Sequence, residues 1–267
     1  MASGDDDYAT PDRLAIYLEI GWSDYLYGTK PGSRSGDEPG YPNPRQDRVP
    51  PTFPVAAINL AKQWAQTLSL DPRSVCDVGG ATGRALFEFD RQFPSLERLV
   101  LVEPSKRFCE WARRLLASDE ALPEVPLADR IGTPKWVSPK ARPRPIEGAP
   151  ERVSIVNAPL ELYTPDRGFD LVSCFNVIDR HPRPSELVKT LGGLLSDGGL
   201  LVLSSPFDFR AASTPDPASW IDDLNALFAD TDSWSYVGED ELYYEYRLHD
   251  RSWTRLCAQV VAKHRRV

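Results

Sequence analysis

The sequence has no apolar run approaching the roughly 20 residues that a membrane-spanning helix needs, which excludes a helical integral membrane protein. Cysteine is scarce: Cys76, Cys109, Cys174 and Cys257 are the four, and none stand at CxxC spacing. Three of them sit in apolar, strand-like runs. They read as buried, reduced thiols of a cytoplasmic protein rather than as a disulfide framework. Histidine is scarcer still, and His181, His249 and His264 form no ligand cluster with the cysteines, so no metal is expected. A surplus of positive charge is also missing. Lys and Arg number 31 against 39 Asp and Glu, giving a net charge of −8. Phosphate contacts need clustered cations, so neither nucleic acid nor an anionic membrane is an expected partner. The segment from Met1 to Thr10 carries Asp5, Asp6 and Asp7 and no apolar core, and reads as a disordered tail, not a signal peptide. Nothing here fixes an oligomeric state.

What is present suits one sizeable core: 267 residues, of which 41% are hydrophobic. Residues 11–27 read as a helix with Pro11 in its first turn. Residues 28–54 are rich in Gly, Pro and Arg without periodicity; a loop of that length is expected to be functional or disordered, and it is read here as a lid. Phe53 to Leu68 reads as a second helix. From Ser74 onward, apolar strands (SVCDV, RLVLVE, RVSIV, FDLVSCFNVI, GGLLVLSS) alternate with amphipathic helices (RALFEFDRQF, RFCEWARRLLAS, SELVKTLGGLL). That rhythm indicates a parallel sheet covered on both faces. Residues 119–150, with seven prolines, interrupt it and read as an insertion outside the core. A helix is expected around Trp220 to Phe228. Two strand-like runs, LYYEYRLHD and TRLCAQVVAKH, then suggest an antiparallel hairpin. The expected organisation is a single α/β domain over 11–267 behind the tail.

The sharpest local pattern is Asp77-Val78-Gly79-Gly80-Ala81-Thr82-Gly83 between a strand and a helix. Ligands of open parallel sheets bind at the carboxyl ends of the strands, and glycines there let backbone approach them. Dinucleotide loops use GxGxxG to seat pyrophosphate on a helix N-terminus. This loop is one residue shorter and opens with an acid, which suits the cationic S-adenosylmethionine (SAM) and would repel pyrophosphate. About 20 residues on, Glu103 ends the second strand, where a carboxylate can accept both ribose hydroxyls of an adenosine.

With the Gly198-Gly199 turn before the fifth strand, residues 74–204 resemble a class I SAM-dependent methyltransferase. The resemblance implies a Rossmann-like, seven-stranded, mostly parallel sheet with an antiparallel terminal hairpin, and SAM as cofactor held by Asp77, Gly79, Gly80, Gly83 and Glu103. Where that family often carries an acid toward adenine, this chain has Asn157, which is expected to substitute; Asn176 is a further expected cofactor contact.

The segment Phe169-Asp-Leu-Val-Ser-Cys-Phe-Asn-Val-Ile-Asp-Arg180 resembles the N-x-x-D-R motif of DREV-type protein-histidine methyltransferases and of the methyltransferase domain of ovothiol synthases. Leu203-Ser-Ser-Pro-Phe207 is similar to a stretch of the latter, and the tyrosine-rich Glu241–Tyr246 to the end of the former. This resemblance implies methylation of the imidazole of histidine or a histidine derivative, free or peptidic. Neutral imidazole keeps a lone pair on one nitrogen and a proton on the other. A carboxylate accepting that remote N–H fixes the tautomer and stabilises the charge that develops, as a triad aspartate does. Asp179 is assigned that role, with Asn176 positioning the ring. Arg180, Phe207, Tyr244 and Tyr246 complete the expected substrate contacts. The competing readings are a small-molecule N- or O-methyltransferase of natural-product metabolism, with Asp179 as base, and a non-catalytic SAM-binding subunit, which Ala81 in place of the middle glycine leaves open. For Asn176 and Asp179 the structural alternative is capping the helix near Ser185. His181 has no evident partner in the sequence.

Overall fold

The computed structural model describes residues 10–27, 52–130, 133–228, 232–249 and 251–266. The tail and most of the anticipated lid loop therefore lie outside the described residues. Seven strands form one sheet: β1 (Ser74–Val78), β2 (Arg98–Val102), β5 (Val153–Val156), β6 (Phe169–Phe175), β7 (Leu195–Ser205), β8 (Trp234–His249) and β9 (Ser252–Arg265). Their order is β5-β2-β1-β6-β7-β9-β8. The first five are parallel; β9 runs antiparallel to both β7 and β8. Before β5 come two short strands, β3 (Val125–Arg130) and β4 (Thr133–Val137), which pair only with each other.

The central strands are continuous apolar runs because both faces are covered, and alternate residues serve opposite layers. Val75, Leu99, Leu101, Leu171 and Val202 pack toward α1 (Pro11–Trp22), α2 (Phe53–Thr67), α3 (Arg84–Gln92) and α4 (Lys106–Leu116). Cys76, Val100, Val172, Cys174 and Leu203 face the opposite layer with α6 (Pro184–Leu194). A short helix, α5 (Ala149–Arg152), leads into β5. Cys76, Cys109 and Cys174 are buried free thiols; Cys257 is partly exposed.

Three elements differ from the sequence reading. The 119–150 segment contributes Val125, Ile146 and Ala149 to the main core and builds the β3–β4 pair, which Tyr27 holds through a 2.8 Å hydrogen bond to the Pro126 carbonyl. In place of a helix at 220–228 there are two 3₁₀ turns, Pro217–Ser219 and Leu224–Phe228. Asp216 and Asp223 close them by accepting the Ala218 and Asn225 N–H groups at 3.0 and 2.8 Å, local bonds that compete with helix formation. The final strands are also longer than the apolar runs that announced them: β8 starts at Trp234, eight residues before Leu242, and runs through the polar Glu239 and Asp240.

The N-terminal helix docks on the start of α3 through one buried cation. Arg84, 3% exposed, donates to Asp24 at 2.7 and 2.8 Å, to Glu88 at 3.0 Å and to the Gly21 carbonyl at 2.6 Å. Its guanidinium also lies 5.0 Å from the Trp22 ring centroid, and the Trp22 indole N–H donates to Thr82 at 3.1 Å. Removing one member of a buried ion cluster leaves the others uncompensated. Arg84→Ala is therefore expected to lower stability by about 3–5 kcal/mol in equilibrium urea unfolding. A loss below about 1 kcal/mol would reduce the cluster to the worth of a surface pair.

Candidate functional site

In the strand order, β1 is flanked by β2 on one side and β6 on the other, and the chain leaves their carboxyl ends toward opposite layers. Ligands of open parallel sheets bind at such a switch point. Two groups of residues stand there, one from the β1 and β2 ends and one from β6, β7 and β8.

Asp77 closes the bottom of the first group. Its Oδ1 accepts from the Ser173 hydroxyl of the adjacent strand at 2.7 Å. Its Oδ2 is buried with no hydrogen-bond partner among the described residues. Burial pushes this carboxyl up to about 7, against the pull of the Ser173 bond. The loop folds directly over it: a Cβ at Gly80 would stand 1.9 Å from Asp77 Oδ2, and one at Gly79 would meet Val177 Cγ2 at 2.5 Å. Gly79 and Gly83 have φ of +70° and +83°. Ala81 is also left-handed, at φ +48°, and is held there by its N–H, which donates to Glu103 Oε2 at 3.0 Å. Glu103 is nearly buried, and its other oxygen accepts the Ser105 N–H at 2.8 Å. The β2-end carboxylate thus ties the glycine loop to the start of α4. Asn157 engages its amide group with the Glu103 and Pro104 carbonyls at 3.1 and 2.8 Å, so what it offers outward is its oxygen.

The second group begins where β6 ends. Asn176 adopts φ +57°; its N–H donates to the Ser204 carbonyl at 2.9 Å, and its Oδ1 accepts from the Ser204 hydroxyl at 2.8 Å. Asp179 is closed to solvent, and neither oxygen has a hydrogen-bond partner among the described residues. Burial raises its carboxyl above the usual range, opposed by the Arg180 charge and by nearby backbone N–H groups. Neither Asn176 nor Asp179 caps α6, whose first turn follows Arg183 with no side-chain cap. Arg180 donates to the Asp208 carbonyl at 2.6 Å and to its Oδ2 at 2.7 Å. Phe207, at φ +54°, makes the turn that presents Asp208.

Aromatic rings wall this side. Phe53 at the start of α2 lies 5.0 Å from Tyr244 and 6.1 Å from Phe175, centroid to centroid. Tyr244 and Tyr246 share the inward face of β8, whereas Tyr243 faces out beneath Arg255. Burial and the Asp179 charge together hold the Tyr244 hydroxyl well above the usual phenol range. Ser173, Ser204, Asp208, Phe53 and Phe175 were not among the residues singled out from the sequence. Only Ser173 had a signal, as a polar residue inside a buried apolar run. His181, read as unpartnered, bonds Glu161 at 2.8 Å and is a loop residue.

Comparison with known proteins agrees with this architecture. A family model described as a methyltransferase domain matches residues 55–258. No curated protein matches the chain. Among solved structures, the plantazolicin methyltransferase BpumL, in complex with a triazolic desmethylPZN analog and SAH, is 10% identical with a TM-score of 0.50, over 80% of this chain and 84% of that one. A protein solved in work on the conversion of a disulfide bond into a thioacetal group during echinomycin biosynthesis is 14% identical with a TM-score of 0.50, over 77% and 80%. The N-methyltransferase NodS from Bradyrhizobium japonicum WM9, in complex with S-adenosyl-L-homocysteine, is 12% identical with a TM-score of 0.49, over 86% and 93%. At these identities the first two likenesses speak for the fold alone. The family match covers most of the chain, and with the seven-stranded sheet it assigns the protein to the methyltransferase domain family, as a SAM-dependent methyltransferase.

Proposed function

We propose that the enzyme methylates a nitrogen of a small molecule or peptide whose N–H is received by Asp179, and that the imidazole of histidine or a histidine derivative is the acceptor that best suits this arrangement. The observation that carries the reading is the Asp179 carboxylate, buried beside Tyr244, with neither oxygen in a hydrogen bond among the described residues and the Arg180 guanidinium no nearer than 3.6 Å. A buried acceptor without a donor costs about 1–3 kcal/mol or more. A substrate N–H that supplied the missing bond would therefore be bound and oriented by the same contact. Imidazole presents an N–H on one nitrogen and a lone pair on the other, so the bond to Asp179 would aim the lone pair away from it, toward the cofactor. Phe53, Tyr244 and Phe175, packed tilted and edge-on against one another, offer ring faces and edges against which a planar ring can pack.

The cofactor reading rests on the β1–β2 side. Asp77, with an unpartnered Oδ2, lies under a loop whose glycines leave no room for a Cβ, and suits an ammonium group. Glu103 lies at the tip of β2, where ribose hydroxyls would come. Gly79, Gly80 and Gly83 let the backbone close on the ligand, with Asn157 and Asn176 on either flank. When bound, SAM supplies an activated methyl group on sulfur. The residues of this chain hold the acceptor in line with it, and alignment of this kind supplies much of the rate of a displacement. Asp179 also neutralises the positive charge that appears on the acceptor nitrogen.

A second reading keeps the site and changes the acceptor. The raised Asp179 carboxyl is also suited to take a proton from an amine or a phenol, which would make the enzyme a small-molecule N- or O-methyltransferase. Mass spectrometry after incubation with SAM and free histidine, thiohistidine, a histidine-containing peptide, an amine set and a phenol set separates the two. A methylated imidazole is expected; methylation confined to amines or phenols would overturn the imidazole assignment.

Two further outcomes are expected. Asp179→Asn should lower turnover about a hundredfold or more while leaving affinity for S-adenosylhomocysteine in calorimetry unchanged; normal turnover would make Asp179 structural. Below about pH 7 the Asp77 carboxyl of the free protein holds a proton that must leave before it can face a cation. Affinity for S-adenosylhomocysteine should thus rise about tenfold per pH unit up to that point and level off above it. Asp77→Asn should flatten the profile, and a flat wild-type profile would remove Asp77 from cofactor recognition.

A further inference from the structure

We propose that Asp208 is a positioning residue for methyl transfer, holding the Arg180 guanidinium off Asp179 so that the Asp179 carboxylate stays open to the acceptor N–H. The inference rests on the reading of Asp179 given above. Asp179 and Arg180 are neighbours in a single 3₁₀ turn, Ile178–Arg180, at the end of β6. A guanidinium beside a buried carboxylate would ordinarily close on it with two parallel hydrogen bonds. Here it does not. Arg180 Nη2 lies 3.6 Å from Asp179 Oδ2 and makes no hydrogen bond to it, yet is 2.7 Å from Asp208 Oδ2. Arg180 Nη1 is held by the Asp208 main-chain carbonyl at 2.6 Å. One residue thus grips both ends of the fork, with its backbone and with its side chain.

The grip is built into the chain. Phe207 takes the left-handed conformation at φ +54°, and its N–H is fixed to the Ser205 hydroxyl at 3.0 Å. The turn after β7 therefore delivers the Asp208 carbonyl and carboxylate to the same side. Arg210 adds a second guanidinium to Asp208 Oδ2 at 2.8 Å. Burial works to raise the Asp208 carboxyl, but the bonds from Arg180 and Arg210 outweigh it and hold it below the usual range, as a committed anion. The ionisable groups acting on Asp179 are, among the described residues, Arg180 on its own turn, Asp208 beyond β7, Tyr244 on β8 and Cys174 on β6. Arg180 is the only cation among these four. Where it points decides whether Asp179 is neutralised by the protein or by the substrate.

Replacing Asp208 by Asn removes the competing anion. Arg180 is then expected to turn to Asp179, occupy its lone pairs and make it more acidic. Two measurements test this. The first is the carbon-13 NMR titration of the Asp179 carboxyl in labelled protein, which needs no substrate. Asp208→Asn should lower its midpoint by about one unit or more, the usual effect of a guanidinium closing on a carboxylate, whereas Asp208→Glu, which keeps the anion, should leave it near the wild-type value. The second is the pH profile of kcat on the acceptor identified by the imidazole, amine and phenol panel. In Asp208→Asn its acidic limb should move down with the titration, and kcat should fall tenfold or more with KM for SAM unchanged. An Asp179 titration that Asp208→Asn leaves in place, or a kcat equal to wild type, would overturn the role of Asp208. Asp179→Asn, assayed in parallel, separates the two ideas. If it turns over normally, the acceptor role of Asp179 has failed; if it is slow while Asp208→Asn is not, only the present proposal has.

Discussion

A carboxylate sealed at the end of β1 sets the terms for the rest of the candidate site. Asp77 gives one oxygen to Ser173 on the neighbouring strand and keeps the other without a protein donor. An arrangement of this kind is unfavourable by itself, since burial disfavours the charged form. It persists because the strand on which it stands is packed on both faces. The loop above it then has little freedom. Gly80 has no room for a side chain, Gly79 fits under Val177, and Ala81 is pinned by Glu103. The acid at the tip of β2 is thus part of the same assembly as the acid at the tip of β1, and the helix that follows the loop begins with the cation that docks the N-terminal helix.

The left-handed residues show how local strain and site coincide. Four non-glycine residues of the described chain have positive φ, and three of them, Ala81, Asn176 and Phe207, stand at the carboxyl ends of β1, β6 and β7. Each is anchored by a hydrogen bond from its own N–H, to Glu103, to Ser204 and to Ser205 respectively. Strained backbone of this kind persists only where its surroundings over-determine it. At the end of β7 the same strain turns Asp208 toward Arg180.

Much of this was legible in the sequence, and the boundary between what was and was not is physical. The parallel strands announce themselves because burial on both faces demands unbroken apolar runs, and the Asp77–Gly83 loop because close backbone approach demands glycine. Glu103, Asn176 and Asp179 were singled out from their places at or just beyond strand ends, and Tyr244 from a tyrosine-rich run inside what became β8. What escaped was pairing across sequence distance. Nothing in the string says that Arg84 reaches Asp24 or that Arg180 reaches Asp208, since either arginine reads equally well as a solvated charge. Phe53 could not be assigned to the wall beside Tyr244 before the path of α2 over the sheet was known. The 3₁₀ turns near Trp220 and Leu224 show the same limit at short range: their apolar residues suit a helix, but Asp216 and Asp223 satisfy the backbone N–H groups first.

The order of the last two strands has a consequence for how the chain is made. β9 follows β8 in the sequence but lies inside it, between β7 and the edge. When β8 leaves the ribosome, the strand that will join it to the sheet has not yet been synthesised, and β7 carries an open ladder edge. Leu201, Val202 and Leu203, fully buried in the finished molecule, find their antiparallel neighbours only when Val261, Ala262 and Lys263 arrive. An apolar edge kept waiting is a template for pairing with another chain. Nascent chains arrested after β8 and before β9 should accordingly be the species most in need of a chaperone.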